Sequence, residues 1–497
     1  IEAQAASWRQ SPPPGPVVAA GSTGSIPATA ELLGVVASLP QGAVILPGLD
    51  QNMDDESWAV LGNESENAAT HPQYGLARLL ARLKVSRADV RDWEDVAGVK
   101  KGEGNPPPKA RMELLSQLMR PAETTMDWAG TPVPGDDALE GLSRIECPGP
   151  REEAGVIALL LRQVLETPGK KAALITPDRG LARRVAAEMK RWGVEIDDSA
   201  GSALSLTPPG VFLRLTAEMA ATACEPVPLL AALKHPLACG GENAGAFKGR
   251  VRSLEEALLR GVRPQQGFDG LLAALKGDDR QKDLAAWLQR LAAMAAAFMA
   301  VFLQREASLE ALLRAHLDFA EALAADGEAS GADRLWRGEA GISAADFAGE
   351  LFDAADVFPP LDPANYPAFL DALMSGRPVR PRYGRSNRLF IWGLMEARMQ
   401  KVDLAVLGGL NEESWPARMA ADPWMSRPMR SRFGLSSSER RVGLSAHDFI
   451  QAFAAKEVVI TRATRVEGTP TVPSRWLSRL DALLGDHPGG QGAVQAA

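Results

Sequence analysis

Four short apolar runs constrain this chain more than any other feature. Residues 172–176 (AALIT), 389–392 (LFIW), 404–407 (LAVL) and 458–461 (VVIT) are too short for helices and show no polar alternation. A strand that is apolar on both faces needs cover on both faces, as in a parallel sheet between two helical layers. The first run is separated from the other three by residues 225–380, which are rich in Ala, Leu and Met. Residues 284–302 and 309–325 within that stretch show helical periodicity without β-branched runs. The pattern predicts one α/β domain split by a helical block.

Residues 1–60 read as a further α/β segment. Strands are predicted at 15–22 (GPVVAAGS) and 42–46 (GAVIL), with an apolar helix at 28–39 between them. A short strand at 145–148 and a helix at 151–166 precede the 172–176 run, and a helix at 181–192 and a strand starting at 193 follow it. Residues 100–109 (KKGEGNPPPK) punctuate the chain as a flexible break. The domain plan is therefore 1–144, 145–224, 225–387 and 388–497. At 497 residues, several cores are needed.

Composition narrows the function classes. No run of eighteen apolar residues suggests a membrane span, and no basic-then-apolar leader precedes the first strand. A cytoplasmic protein is expected. Cys147, Cys224 and Cys239 are far apart and lack CxxC spacing, so they read as small core residues rather than metal ligands. The net charge of −8 argues against a simple nucleic-acid coat but leaves room for a local basic groove.

The glycine-rich turn at 21–29 (GSTGSIPAT) lies between a strand and a helix, where backbone N–H groups could meet a phosphate. It lacks the Gly-Lys-Ser/Thr of a nucleotide loop, which leaves Ser22, Thr23 and Ser25 as candidate nucleic-acid contacts. Asp50, Asp54, Asp55 and Glu56 cluster after a strand and could be considered for Mg²⁺, but no second acidic motif accompanies them. No Asp with a following Asp/Glu-x-Lys pair suggests a nuclease centre. The five histidines are scattered, and His447 is expected on a helix surface or at a cap. No catalytic residue and no metal ligand is assigned.

The densest chemistry lies in 389–479. Trp424, Arg427, Arg430, Arg432, Arg440, Arg441 and Arg475 combine fixed positive charge with aromatic surface, a combination that suits phosphates and stacked bases. These residues are expected near the carboxyl ends of the sheet strands, where open α/β sheets take their ligands. Trp415 is read either as part of this set or, before Pro416, as a core residue.

AAGSTGSIPAT (19–29), VILPGLD (44–50), ITPDRGLARRVAAEM (175–189), GLMEAR (393–398), VDLAVLGGLNEESWP (402–416), DPWMSRPMR (422–430), SERRVGLSAHDF (438–449) and VPSRWLSRL (472–480) together resemble the AddB subunit of alphaproteobacterial AddAB helicase–nucleases. The resemblance implies RecA-like, superfamily-1 helicase-type parallel sheets with a large helical insertion. Residues 1–144 would hold the end of the first such domain and a connector. Residues 145–224 and 388–497 would hold the split second domain. It also implies a DNA-binding scaffold within an ATP-dependent helicase–exonuclease that resects double-strand breaks. An AddA-type subunit would be the partner, and single- and double-stranded DNA the substrates. ATP and Mg would be needed by the whole complex, with no cofactor in this piece.

Gly21-Ser22-Thr23 stands where an active helicase of this class would carry Asp-Glu. Met395-Glu396-Ala397-Arg398 stands where a His and Lys-Gly-Leu-Glu would be. Glu439-Arg440-Arg441 is retained, but no arginine follows on its helix. The resemblance therefore points to a degenerate ATP site. It also implies an N-terminal nucleotide-binding portion and a C-terminal nuclease domain beyond this chain. The rival readings are an active ATP-dependent helicase and an unrelated α/β enzyme acting on a small molecule.

Overall fold

The computed structural model describes residues 1–62, 66–92, 109–130, 135–276, 281–380, 386–418 and 422–485. Most of the break expected at 100–109 lies outside them. The chain forms two compact units, one from residues 1–199 with 384–497 and the other from 200–383.

The first unit is mixed α/β. Strands β1 (Val17–Ala20) and β2 (Gly42–Ile45) pair in parallel, joined by helix α1 (Pro27–Ser38). Helix α2 (Tyr74–Leu83) closes this small layer, with Leu79 packed beside Ala30 and Leu33.

The larger sheet contains β3 (Leu142–Cys147), β4 (Ala172–Ile175), β5 (Asp197–Asp198), β6 (Leu389–Trp392), β7 (Leu404–Leu407) and β8 (Glu457–Ala463). Its order is β3-β8-β7-β4-β6-β5, with every pairing parallel. Ala172 is in register with both Leu389 and Leu404. The strands on either side of the helical block therefore complete one sheet, as their apolar runs predict. Alternate residues explain those runs. Ala172, Leu174, Ile391 and Val406 pack under α3 (Pro150–Val164) and α4 (Arg179–Arg191). Ala173, Ile175, Trp392 and Leu407 face the other layer, which holds Phe449 and Trp476. With both faces covered, no position in these strands needs a polar side chain.

Two departures have clear causes. β5 is the pair Asp197–Asp198, just past the strand start expected at 193, and its acidic residues carry no apolar signal. The helical unit begins at residue 200, not 225. Helix Pro208–Ala221 buries Phe212, Leu213 and Ala217 in the helical core, although its sequence had been assigned to the sheet domain.

Among the described residues the second unit is helical, apart from a two-residue antiparallel pairing of Ser202–Ala203 with Pro378–Val379 and an isolated antiparallel bridge between Ala307 and Leu361. Helix Lys282–Phe302 is long and apolar enough to cross a membrane by length and composition. Leu284, Trp287, Leu288, Leu291, Ala295 and Phe298 nevertheless follow one helical stripe and are buried in the core of this unit.

Candidate nucleic-acid interface

Three elements of the first unit converge on an open cleft of about 850 Å³. One is the turn at Gly24 and Ser25. The second is α2. The third is an arm running from α5 (Arg427–Arg432) into the start of α6 (Arg440–Phe453). Among the described residues its wall carries five arginines, Arg78, Arg82, Arg427, Arg430 and Arg440, and no carboxylate.

The amphipathic character of α2 supplies two of these cations. Tyr74, Leu76, Ala77, Leu79 and Leu80 are buried, while Arg78 and Arg82 follow Tyr74 at four-residue spacing. The Arg78 guanidinium donates to the Tyr74 hydroxyl at 3.0 Å, and Arg82 donates to the Pro27 carbonyl at 3.3 Å. The second bond ties α2 to the turn that carries Ser25.

A close helix contact positions Arg440. A Cβ at Gly443 would lie 2.5 Å from the Ala69 carbonyl oxygen, so only glycine lets α6 approach this backbone. Arg440 Nη1 donates to the Ser436 hydroxyl at 3.3 Å. Its Nε is shielded from solvent and has no hydrogen-bond partner among the described residues. Burial disfavours the Arg440 charge, and neighbouring Arg78 adds to the effect.

The arm is braced by its own carboxylates. Arg427 lies 2.7 Å from Glu439 and Arg430 lies 2.6 Å from Asp422. Arg430 also donates to the Ser436 carbonyl at 3.1 Å. Asp422 accepts from the Trp424 and Met425 amides at 2.9 and 3.1 Å, closing the turn before α5.

Ser25, Arg427, Arg430 and Arg440 are thus brought together, and the other sequence candidates lie elsewhere. Thr23 is 3 % exposed and packs near Gly75, out of reach of a ligand. The Ser22 hydroxyl accepts the Gly24 amide at 3.2 Å, a turn-forming contact outside the cleft wall. Arg432 and Arg441 are exposed but are not in the wall, and neither is Trp424. Arg475 is held by Glu412, with contacts of 3.1 and 2.9 Å, and lines a separate cavity of about 220 Å³.

The expected location also differs. The carboxyl ends of the strands are filled by the chain itself. Glu153, on α3, accepts from the Gly409 amide at 2.8 Å and from the Thr461 hydroxyl at 2.7 Å. Its burial raises its pKa. Trp415 is fully buried and donates to the Gly408 carbonyl at 3.0 Å, in agreement with its reading as a core residue.

The acidic cluster after β2 is consumed structurally. Asp50 accepts from the Asn52 and Met53 amides at 2.8 and 3.0 Å. Asp54 caps helix Asp55–Val60 through Ser57 and pairs with Arg120 at 2.7 Å, while Asp55 pairs with Arg87 at 2.8 Å. Among the described residues no three His, Cys, Asp or Glu side chains are grouped to hold a metal ion. The three cysteines are buried and unpaired. His447 is not on a helix surface: it is 1 % exposed, and burial lowers its pKa to about 4.

No protein-family model and no curated protein matches this chain.

Proposed function

We propose that this chain is a DNA-binding, helicase-like scaffold with RecA-like sheets, acting in an AddAB-type, ATP-dependent helicase–exonuclease that resects double-strand breaks. An AddA-type partner would supply the motor, and ATP and Mg²⁺ would serve the assembled complex. The observation that carries the reading is the cleft wall on which, among the described residues, five arginines converge. Fixed guanidinium charges in an open cleft suit a phosphate backbone and make no demand on base sequence. The parallel sheet, interrupted by a helical unit, also accords with the resemblance found in the sequence.

The test is anisotropy of a labelled single strand titrated with protein across a salt series. Changing Arg78, Arg82 and Arg440 together to Gln should weaken binding and flatten the slope of log K against log salt by about 2, at roughly 0.7 per phosphate contact. The control changes Arg250, Arg252 and Arg260, which belong to the helical unit. Equal effects of the two sets would place the interface elsewhere.

A further inference from the structure

The arm that runs from Asp422 to Arg441 carries apolar side chains where no part of the fold covers them. Trp424 is 86 % exposed, Phe433 70 %, Met429 45 % and Leu435 44 %. Scattered single exposures are ordinary on a protein surface. Four large apolar side chains within twelve residues of chain are not scattered, and such a patch marks a surface that another molecule covers. The arm is also basic. It holds five arginines against two carboxylates, in a chain whose net charge is −8. Asp422 and Glu439 are taken up by Arg430 and Arg427. Arg432 and Arg441 are exposed, lie outside the cleft wall and meet no carboxylate among the described residues.

Local hydrogen bonds hold these side chains in one place. Met429 and Phe433 are one helical turn apart, and the Phe433 amide donates to the Met429 carbonyl at 3.1 Å. Gly434 then takes φ +67°, and the Leu435 amide donates to the Arg430 carbonyl at 3.0 Å, so the chain folds back on the last turn of α5. Trp424 is fastened to the same helix from the other end. Its amide donates to Asp422 at 2.9 Å, and that carboxylate also lies 2.6 Å from Arg430. A strip set in advance loses little freedom when it is covered.

We propose that this strip docks an acidic, amphipathic segment of a partner protein, one in which carboxylates flank aliphatic or aromatic side chains. The inference goes beyond the cleft and does not need it, because Trp424, Met429, Phe433, Arg432 and Arg441 are all outside the cleft wall. Two observations select this occupant. Arg432 and Arg441 are guanidinium groups without a counter-charge among the described residues, and their fork matches a carboxylate. Met429 and Leu435 are not aromatic: they offer a base no ring to stack on, but they pack against apolar side chains as the rings do. Arginine beside exposed Trp, Phe and Met is the composition enriched at the centre of protein–protein interfaces.

The test titrates the full chain against three labelled peptides, followed by anisotropy. The first alternates Glu with Leu and Phe, the second has each Glu replaced by Lys, and the third has each Leu and Phe replaced by Ser. Only the first should bind. Trp424→Ser with Phe433→Ser should weaken that binding by at least about thirtyfold, the loss that one hot-spot side chain brings. Arg432→Glu with Arg441→Glu should abolish it and make the chain take the Lys peptide instead, an exchange that a merely unfolded arm could not give. The ring variant should bind a labelled single strand as the unaltered chain does. Failure of the acidic peptide to bind up to about 1 mM, or equal binding by the unaltered chain and both variants, would overturn the proposal. Loss of strand binding in the ring variant would also overturn it, by giving the arm to nucleic acid.

Discussion

The Arg427 guanidinium lies 2.7 Å from the Glu439 carboxylate and, with Arg430 at 2.6 Å from Asp422, is one of two cleft cations already matched by the arm that presents them. Glu439 itself is nearly buried, and Arg427 is largely exposed. The pair therefore competes with any phosphate that approaches Arg427. Glu439→Gln keeps the shape and removes the competitor. It should tighten strand binding and steepen the salt slope by about 0.7, one contact's worth. An unchanged slope in the same titration would show that Arg427 does not meet the strand.

A second prediction concerns a buried cation far from the cleft. Arg111 is 0 % exposed and donates to the carbonyls of Ala138, Glu140, Phe453 and Ala455. It fastens helix Lys109–Leu118 to the end of α6. Arg111→Met would strand several buried acceptors, each costing about 1–3 kcal/mol. A loss of roughly 3 kcal/mol or more in denaturant unfolding is expected. Arg111→Lys should not rescue it, because one ammonium cannot reproduce the guanidinium fork. A loss under about 1 kcal/mol would mean that water replaces the side chain.

A third prediction concerns pH. Burial lowers the pKa of His71 and His447 to about 4 and of His316 to about 3, from an ordinary 6.5. The unfolded chain therefore takes up these protons first as pH falls, and stability drains away from about pH 6.5 towards the folded values. Asp50, Glu153 and Asp448, whose pKa values are raised by burial, act in the opposite sense near the acid end. The histidine effect should be clearest just below pH 6.5. Thermal melts at pH 7 and pH 5.5 should show a lower midpoint in the second. Equal midpoints would mean that these imidazoles are not buried as described.

A fourth prediction follows from the helical unit. His316 Nδ1 lies 3.0 Å from the Tyr366 hydroxyl, and Nε2 lies 2.8 Å from the Thr216 hydroxyl. Thr216 donates its own proton to the Phe212 or Leu213 carbonyl, so His316 Nε2–H donates to Thr216 and Tyr366 donates to Nδ1. Tyr366→Phe removes that donor and should cost about 1–3 kcal/mol. His316→Phe with Tyr366→Phe, apolar throughout, should recover part of the loss in the same unfolding assay. A double variant weaker than either single change would count against this network.

The large sheet was legible because a strand covered on both faces has nothing to be but apolar, and 172–176, 389–392 and 404–407 say so. Asp197–Asp198 joins the same sheet at its edge, where pairing with Phe390 and Ile391 demands no apolar side chain. Arg427, Arg430, Arg440 and Ser25, singled out by local chemistry, line one cleft. Arg78 and Arg82, not singled out in the sequence, lie four residues apart on α2, a spacing that a helical projection displays. Arg475 lies at a separate cavity, held by Glu412, a partner far off in sequence. Trp424 and Phe433 could not be told from core aromatics before their exposure was known.

The order of the large sheet sets an order of events at the ribosome. β4 lies in the middle, yet its neighbours β6 and β7 are made about 200 residues later. Until then both of its edges are unpaired, and an unpaired strand edge invites association with other chains. The helical unit, residues 200–383, is synthesised in full before those neighbours appear. Nascent chains stopped before residue 389 should contain a folded helical unit and three strands, β3, β4 and β5, none of which yet has a neighbour to pair with, and this is the form of this protein most in need of a chaperone.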